Sequence, residues 1–276
     1  MEIILLFLSG CFGGFLAGIL GVGGGLIFIP ILTWLFSTDP SLTNEDIVRF
    51  TLANSIGLVF MSGTSGIFRQ IKMGIYDLRK SLTVGIPGAI SAATLSYAIQ
   101  NGNWYSKERF QWVFLAFVFI SIGNMIFGKN REDDDHKFHE INGLVMRVIV
   151  GILAGTVVSL SGLGGGIIMV PLFRMILKMQ LKKATALSLS IVPLLSIFPI
   201  IQYATSTNAP ALIEVYGPII QTEYMAWNYY MPMAIGVIIF SSFGQKTAQK
   251  TPVILIRTIF ALLSAFILIK TLYEIF

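Results

Sequence analysis

The stretch GVGGGLIFIP runs from Gly21 to Pro30, and a near copy, GLGGGIIMVP, runs from Gly162 to Pro171. The two stretches are 141 residues apart, about half of the chain, and every glycine and the closing proline keep this offset. Small residues upstream keep it too, with Gly10, Gly14 and Gly18 corresponding to Gly151, Gly155 and Ser159. A repeat at a fixed offset indicates a duplicated structural unit. We therefore expect two related halves, each with a glycine-rich interruption of an apolar segment.

The composition indicates a membrane protein. Of the 276 residues, 55% are hydrophobic and only 12% are charged, and the mean hydropathy is +0.78. A water-soluble domain is about 25% charged and lacks successive apolar runs of about 20 residues. We therefore predict an all-α, polytopic integral membrane protein that has the lipid bilayer as its partner. Basic loops near anionic lipid explain the net charge of +5 without nucleic acid.

Ten apolar runs are the candidate helices, and a charged stretch divides them into two sets. A full crossing needs about 20 residues at about 1.5 Å per residue. The first repeat, residues 1–128, contains the runs 3–20, 24–36, 47–68, 81–100 and 109–128. The second repeat, residues 142–276, contains the runs 142–160, 164–177, 183–203, 228–244 and 253–273. Residues 129–141 form a charged linker that is too short to cross.

Equivalent loops of the two repeats carry opposite charge. Cytoplasmic loops are enriched in Lys and Arg. Three connections are basic and contain Arg69, Lys72, Arg79, Lys80, Arg174, Lys178, Lys182, Lys183, Lys246, Lys250 and Arg257. The segments 37–46 and 203–228 contain three and two acids, respectively, and no base. This pattern predicts that the second repeat is inverted relative to the first, with the linker cytoplasmic. We expect the membrane to be a bacterial or archaeal cell (inner) membrane.

The interrupted elements determine the number of crossings. If each one crossed fully as a discontinuous helix, each repeat would have four crossings, and equivalent loops would lie on the same side. The charge pattern contradicts that arrangement. If each one is a helical hairpin, each repeat has the hairpin plus three transmembrane helices, and the second repeat is inverted. We favour the hairpin and keep the full crossing as the alternative.

The glycines at the two breaks are candidate substrate-binding residues. Irregular backbone at membrane depth occurs only where protein or a water-filled cavity satisfies its polar groups, and glycine lets a ligand approach the main chain. The helix that starts after each break presents unpaired N–H groups and a positive dipole end, which suits an anion. Transporters with inverted repeats place such ends at a central site. The candidates are Gly21, Gly23, Gly24, Gly25, Gly162, Gly164, Gly165 and Gly166.

Helix packing is the alternative explanation for the glycines. We favour it for the small residues upstream of each break, because a spacing of four residues lets two membrane helices approach closely. The density of glycine at the breaks themselves exceeds what such a contact needs. A role in lining the substrate path is therefore favoured there.

Polar side chains inside the apolar runs are further candidates, because they are costly in a membrane. Asn54 and Ser55 lie on a polar stripe of the third run, and Thr185 and Ser188 lie in its counterpart. Hydroxyl and amide groups can donate to an anion without a buried charge. The alternative is that they bond to their own helix or to a neighbour. The arginines are expected to snorkel from the span ends to the interface.

Several stretches together resemble one known family. The two glycine motifs, each followed by a helix with scattered polar residues, TLANSIGLVF at 51–60 and ATALSLSIVP at 184–193, are similar to the sulfite exporter TauE/SafE family. The resemblance covers nearly the whole chain, although residues 203–228 depart from a regular repeat. It implies a membrane permease for a small sulfur-containing anion such as sulfite, thiosulfate or an organosulfonate like sulfoacetate.

An enzyme, a cofactor and a metal site are not predicted. His136 and His139 are the two histidines, and they lie in the charged linker without a third ligand group at a suitable spacing. A secondary transporter that works by alternating access is the favoured function. An anion channel, or a membrane subunit that holds a partner enzyme, is the alternative. The direction of transport, the coupling ion and assembly into a homo-oligomer are left open.

Overall fold

The structure, a computed structural model, describes residues 2–21, 23–127, 140–164, 166–177, 179–207, 209–212 and 220–275. The helices of the first half are α1 (Glu2–Leu20), α2 (Gly25–Ser37), α3 (Asn44–Lys72), α4 (Leu78–Asn101) and α5 (Lys107–Phe127). Those of the second half are α6 (Glu140–Ser161), α7 (Gly166–Met175), α8 (Leu181–Ala204), α9 (Trp227–Lys250) and α10 (Val253–Ile275). A short antiparallel hairpin of β1 (Gln221–Thr222) and β2 (Met225–Ala226) precedes α9. The prediction of an all-α fold is confirmed.

All ten predicted helices are present, and most extend beyond the apolar runs. α3 begins three residues earlier than predicted because Thr43 and Asp46 form a capping box at its N-terminus. Hydropathy alone underestimates such ends, since polar caps lie outside the apolar stretch. Within the described ranges, six helices are long and apolar enough to cross a membrane, namely α1, α3, α4, α6, α8 and α10. The protein is an integral membrane protein.

Contacts between helices occur in matched pairs, in which equivalent helices of the two halves make equivalent contacts. α1 packs along α9, and its counterpart α6 packs along α4. α3 packs against α9, and its counterpart α8 packs against α4. Two further interfaces, α3 with α8 and α5 with α10, each join a helix to its own counterpart. Equivalent helix surfaces are therefore buried in the two halves.

The central helices α3 and α8 run antiparallel. A Cβ built on Gly63 would lie 2.6 Å from the ring of Pro193, and one built on Gly66 would contact Leu189. Further along α3, Gln70 Nε2 donates to the Ala186 carbonyl at 2.9 Å. As the residue number rises along α3, the partner number on α8 falls. The third helix of the first half therefore points in the direction opposite to its counterpart in the second half.

The upstream small residues form two helix seams. Gly10, Gly14 and Gly18 of α1 lie against the backbone of α9, with Gly10 in contact with Met233 and Gly14 with Val237. In the other seam, Gly151 and Gly155 contact the backbone of α4, and Ser159 Oγ donates to the Ala92 carbonyl at 2.8 Å. Any larger side chain would separate these helices. The prediction that these residues serve helix packing is confirmed.

The protein has two distinct ends. At one end the loop after α3 meets the end of α9 and the start of α8, through contacts of Gln249 with Met73 and Lys182. We call this the basic end because it carries Lys72, Arg79, Lys80, Lys182, Lys183 and Lys250. At the opposite end, the start of α3 meets the end of α4 and the β hairpin. Residues 129–139 of the predicted linker, with both histidines, lie outside the described residues.

Candidate functional site

Both glycine motifs interrupt a helix, as the sequence predicts. Left-handed backbone angles occur at Gly21, Gly23 and Gly24, with φ of 68°, 81° and 85°, and at Gly162 and Gly164, with φ of 65° and 77°. Only glycine adopts these angles without strain. Gly166 begins α7, and Gly165 lies outside the described residues. The break is thus built from consecutive glycines in each half.

The chain reverses direction at the first break. Gly24 is the N-cap of α2, and a Cβ built on it would lie 2.9 Å from the carbonyl oxygen of Gly13 in the middle of α1. The ring of Phe28, one turn into α2, packs on the same glycine. α2 therefore starts beside the middle of α1 and returns toward the end where α3 begins. This geometry is that of a hairpin whose second arm starts inside the protein.

The two breaks meet in the core. A Cβ built on Gly23 would lie 2.9 Å from the side chain of Val59, and Gly164 contacts the same side chain. Gly25 lies against the backbone of Gly162 and Leu163. Val59 is fully buried near the midpoint of α3. The two breaks therefore converge at mid-height, beside the same side chain of the central helix.

Two serines stabilise the breaks reciprocally. Ser55 Oγ on α3 donates to the Gly162 carbonyl at 2.9 Å, and Ser188 Oγ on α8 donates to the Gly21 carbonyl at 2.9 Å. Both serines are fully buried. A carbonyl left outside the helical hydrogen-bond pattern at this depth needs such a donor. Each half thus satisfies the break of the other half.

Asn54 and Thr185 have local partners. Asn54 Nδ2 donates to the carbonyls of Phe50 at 2.8 Å and Tyr224 at 3.0 Å, and its Oδ1 accepts from the Ala226 N–H at 3.2 Å. It therefore fixes the β hairpin to α3. Thr185 Oγ1 donates to its own helix at the Lys182 carbonyl, 2.9 Å away. The substrate-binding roles of these two residues and of the serines stay predictions.

Further polar residues of α3 join it to α9. Ser62 Oγ lies 3.3 Å from Ser241 Oγ. One turn later, Ser65 Oγ lies 2.9 Å from Ser242 Oγ and 2.9 Å from the Ile238 carbonyl. These contacts are hydrogen bonds between membrane helices, which is the alternative explanation of the polar stripe.

A cavity of about 340 Å³ lies at the basic end, between α3, α8 and α9. Its polar lining includes Gln70, Lys80, Lys182, Thr185 and Gln245. A volume of this size accommodates a small anion with its water shell. Gly18 and Thr185 lie on its wall, and the backbone of Thr185 packs against Gly21. Thr185 therefore lies between the cavity and the first break.

Among the charged side chains that line this cavity, hydrogen-bond donors outnumber carboxylates. Lys182 Nζ donates to the Gln249 carbonyl at 2.6 Å, and Lys80 Nζ lies 3.0 Å from the Asp77 carboxylate. Burial opposes ionisation of Asp77, but the hydrogen bonds and the charge of Lys80 outweigh it and lower the pKa of the carboxyl group. Gln245 Nε2 is buried without a hydrogen-bond partner among the described residues. The cavity thus offers donors to an incoming anion.

The family model described as sulfite exporter TauE/SafE matches residues 6–271 of this chain. The chain belongs to the TauE/SafE family. It is 28% identical to a probable membrane transporter protein of Methanocaldococcus jannaschii over 246 residues, which cover 89% of this chain and 86% of that protein. It is 23% identical to a probable membrane transporter protein of Bacillus subtilis, covering 99% of this chain and all of that protein. A third relative, a probable membrane transporter protein of Haemophilus influenzae, is 25% identical over 94% of each chain.

No solved structure matches the chain. The family and the names of the relatives indicate a membrane transporter and not an enzyme. This TauE/SafE protein has functional candidates that sequence reasoning missed. Gln70 and Gln245 line the cavity, and Arg49 is buried instead of snorkelling to the interface. For Arg49 the sequence contains one signal of a functional role: Arg49 and Lys182 each lie six residues before an equivalent serine.

Proposed function

We propose that this protein is a secondary transporter that moves a small sulfur-containing anion, such as sulfite, thiosulfate or an organosulfonate, across the membrane by alternating access. One observation carries the proposal: the donor-lined cavity at the basic end shares Thr185 with the glycine break at Gly21, since Thr185 lines the cavity and packs against Gly21. An anion would enter among the lysines, pass Thr185 and reach the breaks.

The geometry of the breaks is consistent with an anion site. No side chain caps the N-terminus of α2, so the positive end of its dipole is available to an anion, although the Ile27 N–H already bonds to the Gly24 carbonyl at 3.0 Å. The substrate-binding glycines of the proposal are those of the two breaks, with Asn54, Ser55, Thr185 and Ser188 around them. Because Ser55 and Ser188 already bond to the breaks, they position the backbone toward the anion. Weak binding by neutral donors also allows release on the other side.

The matched helix contacts of the two halves support alternating access. α3 and its counterpart α8 are antiparallel, as expected for inverted repeats of residues 1–128 and 142–276 around a linker at 129–141. In that design one repeat rocks against the other around a fixed central site. The excess of Lys and Arg at the basic end favours a cytoplasmic position for that end in the cell membrane.

Transport by the purified protein in liposomes tests the proposal. Sulfite, thiosulfate, sulfoacetate, taurine and sulfate would be offered separately, each with a preloaded unlabelled anion inside. A transporter gives saturable uptake that is accelerated by counterflow of its own substrate. Flux that rises linearly with the gradient and shows no counterflow would indicate a channel, and no flux of any anion would overturn the proposal.

Two variants test whether the breaks bind the anion. Gly24→Val places a branched side chain at a φ of 85° and against the carbonyl of Gly13, so it should abolish flux while the protein still inserts. Gly74→Val is the control, because Gly74 has a φ of 67° but no heavy atom within 4 Å of a built Cβ. It carries similar backbone strain outside the breaks. Equal flux in the two variants would rule out the break as the site.

A further inference from the structure

Arg49 and Lys182 occupy equivalent positions in the two halves. Arg49 lies six residues before Ser55 on α3, and Lys182 lies six residues before Ser188 on α8. The two serines make the same hydrogen bond to opposite breaks, which aligns the two helices residue by residue. Because α3 and α8 are antiparallel, one cation lies at each end of the protein.

Both cations bind a backbone carbonyl at the C-terminal end of another helix. Arg49 Nη2 donates to the carbonyl of Gly102, the C-cap of α4, at 3.0 Å. Lys182 Nζ donates to the carbonyl of Gln249, in the last turn of α9, at 2.6 Å. The negative end of a helix dipole favours a cation at this place. Since α4 and α9 are equivalent helices, the same contact is made at both ends.

The surroundings of the two cations differ. Lys182 is exposed and lines the cavity at the basic end. Arg49 is only 9% exposed. Its guanidinium also donates to Asn103 Oδ1 at 3.1 Å and to the Tyr224 hydroxyl at 3.4 Å, and it lies 3.6 Å from the Asp46 carboxylate. The opposite end is therefore closed around its cation, while the basic end is open.

A buried hydroxyl without a partner lies beside Arg49. Tyr203 is fully buried, and its hydroxyl makes no hydrogen bond within the part of the chain that the structure describes. Its ring packs edge-on against Tyr224, with 6.1 Å between the ring centroids, and Tyr224 accepts from Arg49. Leaving a buried hydroxyl unpaired costs free energy. A group that arrives when this end opens would supply the missing partner.

We propose that Arg49, with the hydroxyls of Tyr203 and Tyr224, forms a second anion-binding site at the opposite end, equivalent to Lys182 at the basic end. In the conformation described, Arg49 closes that end by holding the C-terminus of α4 against α3. When the halves exchange conformations, the guanidinium and the two hydroxyls become available to a small oxyanion, and the basic end closes around Lys182, whose bond to the Gln249 carbonyl is already present. This inference rests on the proposed function and adds the residues that receive the anion at each side.

Side-resolved transport tests the binding role. Right-side-out and inside-out membrane vesicles containing the full chain would be used to measure the sulfite concentration at half-maximal uptake from each side. Arg49→Gln should raise this concentration about tenfold from the opposite end, the effect of losing a charge-assisted hydrogen bond, and leave the basic end unchanged. Lys182→Gln should do the reverse. An equal change on both sides, or no change, would overturn the assignment.

Two further variants separate binding from folding. Lys107→Gln removes the same charge from the same end, where Lys107 is partly exposed and bonds to Ser37 Oγ, and it should change neither side. Arg49→Lys keeps the charge but loses the planar fork of donors. It should give an intermediate shift with normal protein yield. An Arg49→Lys defect as large as that of Arg49→Gln on both sides would show a purely structural role.

A labelling experiment tests the closing role without any flux, so it stays informative even if the proposed substrate is wrong. Cys11 is the single cysteine of the chain. In a Cys11→Ser, Ala226→Cys protein, the new thiol would lie in a fully buried position on the hairpin beside Asn54. Arg49→Gln should accelerate its reaction with an impermeant maleimide from the opposite end about tenfold, in proportion to the lost hydrogen bond. Unchanged labelling would show that Arg49 does not close this end.

Discussion

Gly25 lies directly against Leu163, so that a Cβ built on Gly25 would be 2.6 Å from the Leu163 Cα and 2.8 Å from the Gly162 carbonyl oxygen. Gly25 begins α2 in the first half, and Leu163 belongs to the break of the second half. The backbones of the two breaks therefore touch without an intervening side chain. The breaks form one structural unit, and a change in either should affect both.

Gly25→Ala should destabilise the protein, because the added methyl group would overlap with backbone that cannot rotate away. We expect a loss of roughly 1–3 kcal/mol, typical of overpacking in a core, and a corresponding fall in the midpoint of thermal unfolding in detergent. Gly123→Ala is the matched control within α5, where nothing lies within 4 Å of a built Cβ. It should stabilise the protein by about 0.5–1 kcal/mol through helix propensity. Equal midpoints for the two variants would contradict the close contact.

Ser55→Ala and Ser188→Ala should each destabilise the protein by about 1–3 kcal/mol, because each leaves a buried glycine carbonyl without a donor. Thermal unfolding of the purified variants measures the effect. Thr94→Ala is a suitable control, since the Thr94 hydroxyl bonds only to its own helix at the Ile90 carbonyl and is exposed. If the serine variants unfold like the Thr94 variant, the two hydrogen bonds do not stabilise the breaks.

Gln245→Leu should weaken anion uptake from the basic end while preserving the fold. Gln245 Nε2 has no partner among the described residues, so its removal breaks no internal hydrogen bond. We expect the half-saturating anion concentration to rise about five- to tenfold, the loss of one neutral donor to a charged ligand. Thr247→Ala is the control on the same helix, because its exposed hydroxyl bonds within its own helix to the Phe243 carbonyl, at 3.0 Å. If the half-saturating anion concentration of Gln245→Leu equals that of the wild type, Gln245 does not bind the anion.

Asp77→Asn should lower the half-saturating anion concentration at the basic end, because Lys80 loses its 3.0 Å ion pair and its charge becomes available to the anion. The folded-state pKa of Asp77 is lowered, so the stability it adds is present above the ordinary carboxyl value and is lost as the pH falls through the folded value. The pair is largely exposed, and its contribution should stay below about 1 kcal/mol. Unfolding midpoints of the wild type and the variant at neutral and strongly acidic pH check this sign: the difference should vanish in acid.

The helices and the breaks could be predicted from the sequence, but their partners could not. The length of an apolar run predicts a membrane helix, and a cluster of glycines predicts where that helix is interrupted. Both features can therefore be predicted from local sequence. That Ser55 bonds to Gly162 and Ser188 to Gly21 depends on contacts across 107 and 167 residues. Arg49 looked like an interfacial side chain because it lies near a span end. It is buried because the hairpin before α9 folds over it, and that segment has no counterpart in the repeat.

The bond from Ser188 to Gly21 also bears on how the chain is made. The first half leaves the ribosome before Ser188 exists, so the Gly21 carbonyl must wait for a donor that is 167 residues further along. In lipid an unsatisfied carbonyl is costly, which favours keeping the first hairpin hydrated or only partly inserted until the second half arrives. Final insertion of the first hairpin is then coupled to completion of translation, and a chain truncated before α8 should be a preferred target of membrane quality control.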